Sequence, residues 1–118
     1  MFNFEKLDTW HEAIAFADLV YNLTRSFPAE ERFGLTNQMR RAAVSVSSNL
    51  AEGCSRSSKV DYGRFVEIST GSVFEVVSQA TISRNQKFLT GVDYEQIYRA
   101  AEKQSRMLSG LRNSLSGR

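Results

Sequence analysis

Proline occurs once in this chain, at Pro28, and the turn residues that punctuate β-rich sequences every few positions are missing. Long stretches of helical period, broken at a few places, are what remain. That pattern leaves little room for a sheet, because strands need period-two alternation and the adjacent pairs Phe65-Val66 and Val76-Val77 violate it.

Four segments carry the period. The first runs from about Leu7 to Ser26, with Asp8 or Thr9 as expected N-cap. Trp10, Ile14, Ala17, Val20 and Phe27 form its expected buried stripe. Phe16, Leu19 and Leu23 widen that stripe beyond what one partner helix would cover. Pro28 ends the segment, since the residue before a proline avoids the helical region. After a connection through Ala29–Gly34, the second segment places Leu35, Met39, Ala42, Val46, Leu50 and Gly53 on one side. The run from Arg41 to Gly53 is rich in small side chains, which let helix axes approach closely.

The third segment spans about Lys59 to Phe88, capped by Ser58 or Asp61, with Tyr62, Phe65, Val66, Val73, Val76, Val77 and Ala80 on its apolar face. Its valines are middling helix formers. Gly91 is the expected C-terminal cap. The fourth segment opens with a capping-box pattern, Asp93 to Gln96, and continues with Ile97, Ala101, Leu108, Leu111 and Leu115. Gln104 interrupts that stripe, and the tail Ser116-Gly117-Arg118 is expected to fray. Four helices of roughly 20 residues, each ~30 Å long, joined by short connections, predict an all-α fold, an antiparallel up-down-up-down four-helix bundle. Residues 1–118 form one expected domain, without a repeat or linker to divide them.

Composition then excludes several function classes. A single Cys54 allows no intrachain disulfide, and one cysteine with one histidine, His11, cannot build a Cys/His zinc cage. His11 reads as a surface residue and Cys54 as a packed thiol. Glycine-rich phosphate loops and paired metal motifs are absent, so no cofactor, metal or small-molecule substrate is expected. The N-terminus lacks the basic and apolar regions of a signal peptide, and no run approaches the ~20 apolar residues of a membrane span. The expected compartment is the cytoplasm. A net charge of +2 is too small by itself to argue for nucleic acid, so the placement of the charges matters more.

Two polar clusters stand out. On the second helix, Gln38, Arg41, Ser45, Ser48, Glu52 and Arg56 share a narrow sector, with Asn49 at its edge. A solvated face is the plainer reading; a binding surface is the other. Ser72, Glu75 and Gln79 flank the apolar face of the third helix. Together they suggest a structural polar network of Arg41, Ser45, Asn49 and Glu52 with Ser72 and Glu75, which would fix register more than add stability. On the fourth helix, Arg99, Lys103 and Arg106 fall on one face. They read either as phosphate contacts or as ordinary ion pairs, since Glu95 precedes Arg99 by four and Glu102 precedes Arg106 by four.

The residues Phe27-Pro28, Glu31, Phe33-Gly34-Leu35 and Gln38, followed by the unbroken run from Arg40 to Gly53, carry a resemblance. So do Phe4, Leu7 and Trp10 near the start and Ser72 and Glu75 in the third helix. The chain resembles the small bacterial four-helix-bundle proteins named for intervening sequences of 23S rRNA genes. It departs from their usual pattern at Leu50, where isoleucine is common, and near Ser47, where proline is. The resemblance covers nearly the whole chain. It implies an antiparallel bundle that associates as a ring, typically a homopentamer, which would account for the wide apolar face of the first helix. It also implies a cytoplasmic bacterial protein of unknown function with no known enzymatic activity. The genomic setting of some members suggests rRNA or another nucleic acid as partner. The leading expectation is a non-enzymatic oligomeric module binding RNA through a basic surface of the ring. The alternative is a protein-binding scaffold with no nucleic-acid role.

Overall fold

The computed structural model describes residues 1–116; Gly117 and Arg118, part of the expected frayed tail, lie outside the described residues. A single 3-10 turn, Asn3–Lys6, leads directly into α1 (Asp8–Thr24). A second 3-10 turn, Ala29–Glu31, precedes α2 (Leu35–Cys54); α3 (Lys59–Asn85) and α4 (Gly91–Leu115) complete the fold. The 27-residue α3 rises ~40 Å at 1.5 Å per residue, nearly the whole 43 Å length of the molecule. Its valines do not break it, because tertiary burial of Val66, Val73 and Val76 outweighs their weak intrinsic preference.

Register fixes the direction of each helix. Between α2 and α3, Ser69 meets Val46, Ser72 meets Ser45 and Ser83 meets Met39, so one number rises as the other falls. The same inverse pairing joins α1 to α4 through Thr9–Gln104 and Glu12–Lys103, and α3 to α4 through Thr81–Tyr94 and Glu67–Arg112. Neighbours in the sequence pack against each other, α4 closes back on α1, and the backbones of the diagonal pairs stay apart. This is the antiparallel up-down-up-down bundle that the periodicity predicts.

The core is fully dry at Ala13, Val20, Met39, Val46, Leu50, Val66, Val73, Val76, Ile97 and Leu108. In α1 the buried stripe is rotated relative to the sequence expectation. Thr9, Ala13, Phe16, Val20 and Thr24 point inward, while Trp10 and Ile14 are half-buried. Phe16 is therefore covered by its own chain, and Leu19 and Leu23 pack against the core. The surplus apolar surface lies elsewhere. Val60, Ile68, Phe74 and Ile82 of α3 are exposed, as are Val92 and Tyr98 of α4.

Three caps differ from expectation. Neither Asp8 nor Thr9 caps α1; Leu7 does so through its backbone, because the preceding 3-10 turn runs straight into the helix. Thr90, not Asp93, caps α4, its hydroxyl accepting from the Asp93 N–H at 3.0 Å. Gly91 starts α4 rather than ending α3. The residue that turns left-handed after α3 is Lys87, with φ of 68°. Its N–H bonds back to Arg84 and the Phe88 N–H to Ser83, closing a Schellman motif without glycine. Ser58 does cap α3 as expected, accepting from the Asp61 N–H.

Candidate functional site

The sequence from Arg41 to Gly53 gives α2 two dissimilar sides. Its inward residues are small, which draws α3 close. Ser69 and Ser83 are fully buried in that seam, and the Ser69 hydroxyl donates to the Val46 carbonyl across it at 2.9 Å. At the edge of the seam Ser72 donates to Ser45 Oγ at 2.9 Å, and the Asn49 amide donates to the same oxygen at 2.9 Å and to the Ser45 carbonyl at 2.8 Å. Ser45, Asn49 and Ser72 are thus brought together.

The charged residues expected beside them are not. Glu52 lies on the exposed face and pairs with Arg56 at 3.0 Å, one helical turn on. Arg41 and Glu75 line one shallow groove with Ser45 and Ser72, of about 350 Å³, yet both side chains are exposed and among the described residues form no ion pair within 4 Å. A buried charge network involving Glu52 and Glu75 is therefore not what this seam contains. Its long acidic side chains reach water, and the short hydroxyls and one amide do the bridging. Loss of Glu75 accordingly leaves no buried partner charge behind.

On α4, Arg99 pairs with Glu95 at 3.5 Å and Lys103 reaches across to Glu12 of α1 at 3.3 Å. Arg106 has no ion-pair partner among the described residues and lines an apolar groove of about 510 Å³ between α3 and α4, beside Phe74 and Tyr98. The three basic residues share a face, but two of them already answer carboxylates.

A larger groove, about 870 Å³, runs along the outer face of α2. Tyr21 of α1 and Arg32 and Phe33 of the α1–α2 connection wall it, and Arg40, Arg41, Val44, Ser48 and Asn49 floor it. No carboxylate lines it. Glu31 is drawn away from it, accepting from the Leu35 N–H at the start of α2. The sequence does not show this cluster, because Tyr21 and Phe33 belong to no basic run and meet the arginines only through the packing of α1 and the α1–α2 connection against α2. Phe33, outside every helical stripe and directly after Arg32, was the available signal; its ring is 85% exposed.

The remaining polar chemistry is sparse. Tyr62 donates to Cys54 Sγ at 3.6 Å where α2 gives way to α3. Burial first, then that hydrogen bond, pushes the Tyr62 phenol well above its ordinary value. His11 is exposed and meets the Glu5 carbonyl oxygen. Among the described residues no three of His, Cys, Asp and Glu converge as a metal site, and no helix is long and apolar enough to cross a membrane.

Fold and surface together define a small all-α protein, a four-helix bundle whose distinguishing stretch is the small-residue second helix. Residues 5–110 match the model of the 23S rRNA-intervening sequence protein family, and the chain belongs to that family. Its fold is also that of a crystallised protein of unknown function from the S23 ribosomal protein family of Bacteroides thetaiotaomicron VPI-5482. That likeness has a TM-score of 0.82 at 19% identity, over 89% of this chain and 95% of the other. No curated protein matches this chain significantly.

Proposed function

We propose that this protein is a non-enzymatic, cytoplasmic interaction module that associates with copies of itself, as a pentameric ring, and binds nucleic acid. The observation that carries the reading is the outer face of α3, where Val60, Ile68, Phe74 and Ile82 are exposed along one long helix. Several large apolar side chains left in water on one helix are a recurrent mark of interaction sites on otherwise stable proteins. The groove between α3 and α4 continues it through Phe74 and Tyr98. Support for a nucleic-acid partner comes from the family's link to 23S rRNA intervening sequences. A ring also multiplies a modest +2 per chain into a collective field. On this reading Arg99, Lys103 and Arg106 of α4 contribute to the basic surface. The same apolar groove favours the alternative, a protein-binding scaffold, whose partner would occupy α3 and α4 directly.

Light scattering at micromolar concentration tests the association. The expected result is a mass several times that of one chain, and a monomer for Phe74→Glu with its helical circular dichroism unchanged. A wild-type monomer would overturn self-association. Filter binding of structured RNA at low and high salt tests the partner: electrostatic binding weakens steeply with salt, and no binding at low salt rejects it.

A further inference from the structure

We infer that the groove on the outer face of α2 is a binding site for single-stranded nucleic acid. The inference rests on the nucleic-acid part of the reading above and not on self-association. It moves the site from α4 to the opposite pair of helices.

Charge is the first reason. Arg32, Arg40 and Arg41 line the groove and no acidic side chain does, whereas on α4 both Arg99 and Lys103 are neutralised by carboxylates. A polyanion gains most where basic groups lack internal partners. Shape is the second. Phe33 and Tyr21 flank the groove, and each carries an arginine over its ring, Arg32 at 5.5 Å and Arg40 at 4.6 Å from the centroids. Each guanidinium covers part of one ring face and brings a charge for a phosphate next to it, while Phe33, 85% exposed, keeps aromatic surface open for a base to stack on. Order is the third. Arg40 Nε donates to Thr24 Oγ1 at 3.0 Å, while the buried Thr24 hydroxyl itself donates to the Val20 carbonyl at 2.7 Å. Arg40 Nη2 also reaches the Tyr21 carbonyl at 3.4 Å. The guanidinium is held before any ligand arrives, so binding spends less on ordering it.

An unpaired strand fits better than a duplex, because paired bases stack on one another and offer no face to an exposed ring. An acidic peptide would satisfy the arginines but leave the two aromatics unused.

Fluorescence anisotropy tests this with a labelled mixed-sequence single-stranded RNA, the same sequence as DNA, and the RNA annealed to its complement. Phe33 is 85% exposed and Arg32 and Arg41 are exposed, so their substitution spares the fold. Both single strands should bind more tightly than the duplex. Phe33→Ala should weaken single-strand binding by ~5–150-fold, the loss of one stacked base. Arg32→Ala and Arg41→Ala should each flatten the log–log salt dependence by ~0.7. Charge reversal at Arg99, Lys103 and Arg106 alters the overall field and should weaken single strands and duplex alike, without the loss of single-strand preference expected of Phe33→Ala.

Wild-type affinity in the groove variants, with binding lost in the α4 reversal, overturns this site and leaves the α4 reading standing. Displacement of RNA by polyglutamate, with Phe33→Ala behaving as wild type, makes the groove a site for acidic protein and overturns it too. No binding of any strand at low salt overturns both the site and the nucleic-acid reading.

Discussion

Lys87 is the residue at which local sequence and backbone disagree most. It occupies the left-handed position after α3 that glycine usually fills. Its Cβ costs about 1–2 kcal/mol there, while glycine would cost about 0.5–1 kcal/mol in unfolded-state entropy. Lys87→Gly is therefore expected to stabilise the protein by about 0.5–1 kcal/mol, read as a higher urea midpoint at unchanged slope. A fall in the midpoint would show that the Lys87 side chain contributes more than its backbone costs. Tyr62 makes the other residue-scale prediction. Its phenol keeps its proton in the folded state beyond the ordinary value of 10.0, chiefly through burial, while the unfolded chain releases it there. The stability this provides is complete below about pH 10 and is lost as pH rises toward the folded value. Urea midpoints of Tyr62→Phe should fall less steeply than wild type above about pH 10; parallel slopes would count against it.

At the scale of elements, the α2–α3 seam shows how small residues set spacing. A Cβ on Gly53 would stand 2.7 Å from Phe65 Cβ, and neither atom can swing away because both are bonded to backbone. Overpacking of this kind costs about 1–3 kcal/mol and exceeds the roughly 1 kcal/mol of helix propensity that alanine gains over glycine. The nearest atoms to a Cβ on Gly63 all belong to the Arg112 guanidinium, at 3.1 Å and beyond, the end of a flexible chain that can shift together with its exposed partner Glu67. Gly53→Ala should thus lose about 1 kcal/mol, and Gly63→Ala should be neutral or gain up to about 1 kcal/mol. Thermal melts of the two variants check the opposite signs. The small-residue run was legible in the sequence, and so was the helix it forms. The helix ends were less so. Ser58 is the N-cap that its type suggests, but Asp93 yields to Thr90, since both offer an oxygen and only the path of the incoming chain chooses between them.

Across the whole molecule, a self-associating bundle ties stability to concentration: binding that exists only in the folded state raises the melting temperature as protein is added. A melting temperature rising with concentration in wild type, but fixed in Phe74→Glu, is the expected signature of an interface on α3. Which apolar side chains are left exposed for such an interface could not be read from the chain. Phe16 reads from the sequence as surplus apolar surface of the first helix, yet it is 2% exposed, while Phe74 of α3 is 63% exposed. The difference arises from how far α1 is rotated against α2 and α4, a property of the packed bundle. The sequence by itself determined four helices, their antiparallel order and the small-residue face of α2, because helical period, breakers and side-chain size are local quantities. Tertiary structure decided which polar groups meet. It joined Ser45, Asn49 and Ser72 while sending Glu52 and Glu75 to water. It also set Tyr21 beside Arg40, 19 positions away in the chain, in a groove free of carboxylates. Helical spacing fixes neighbours within one helix, but only the rotation and approach of two helices fix neighbours between them.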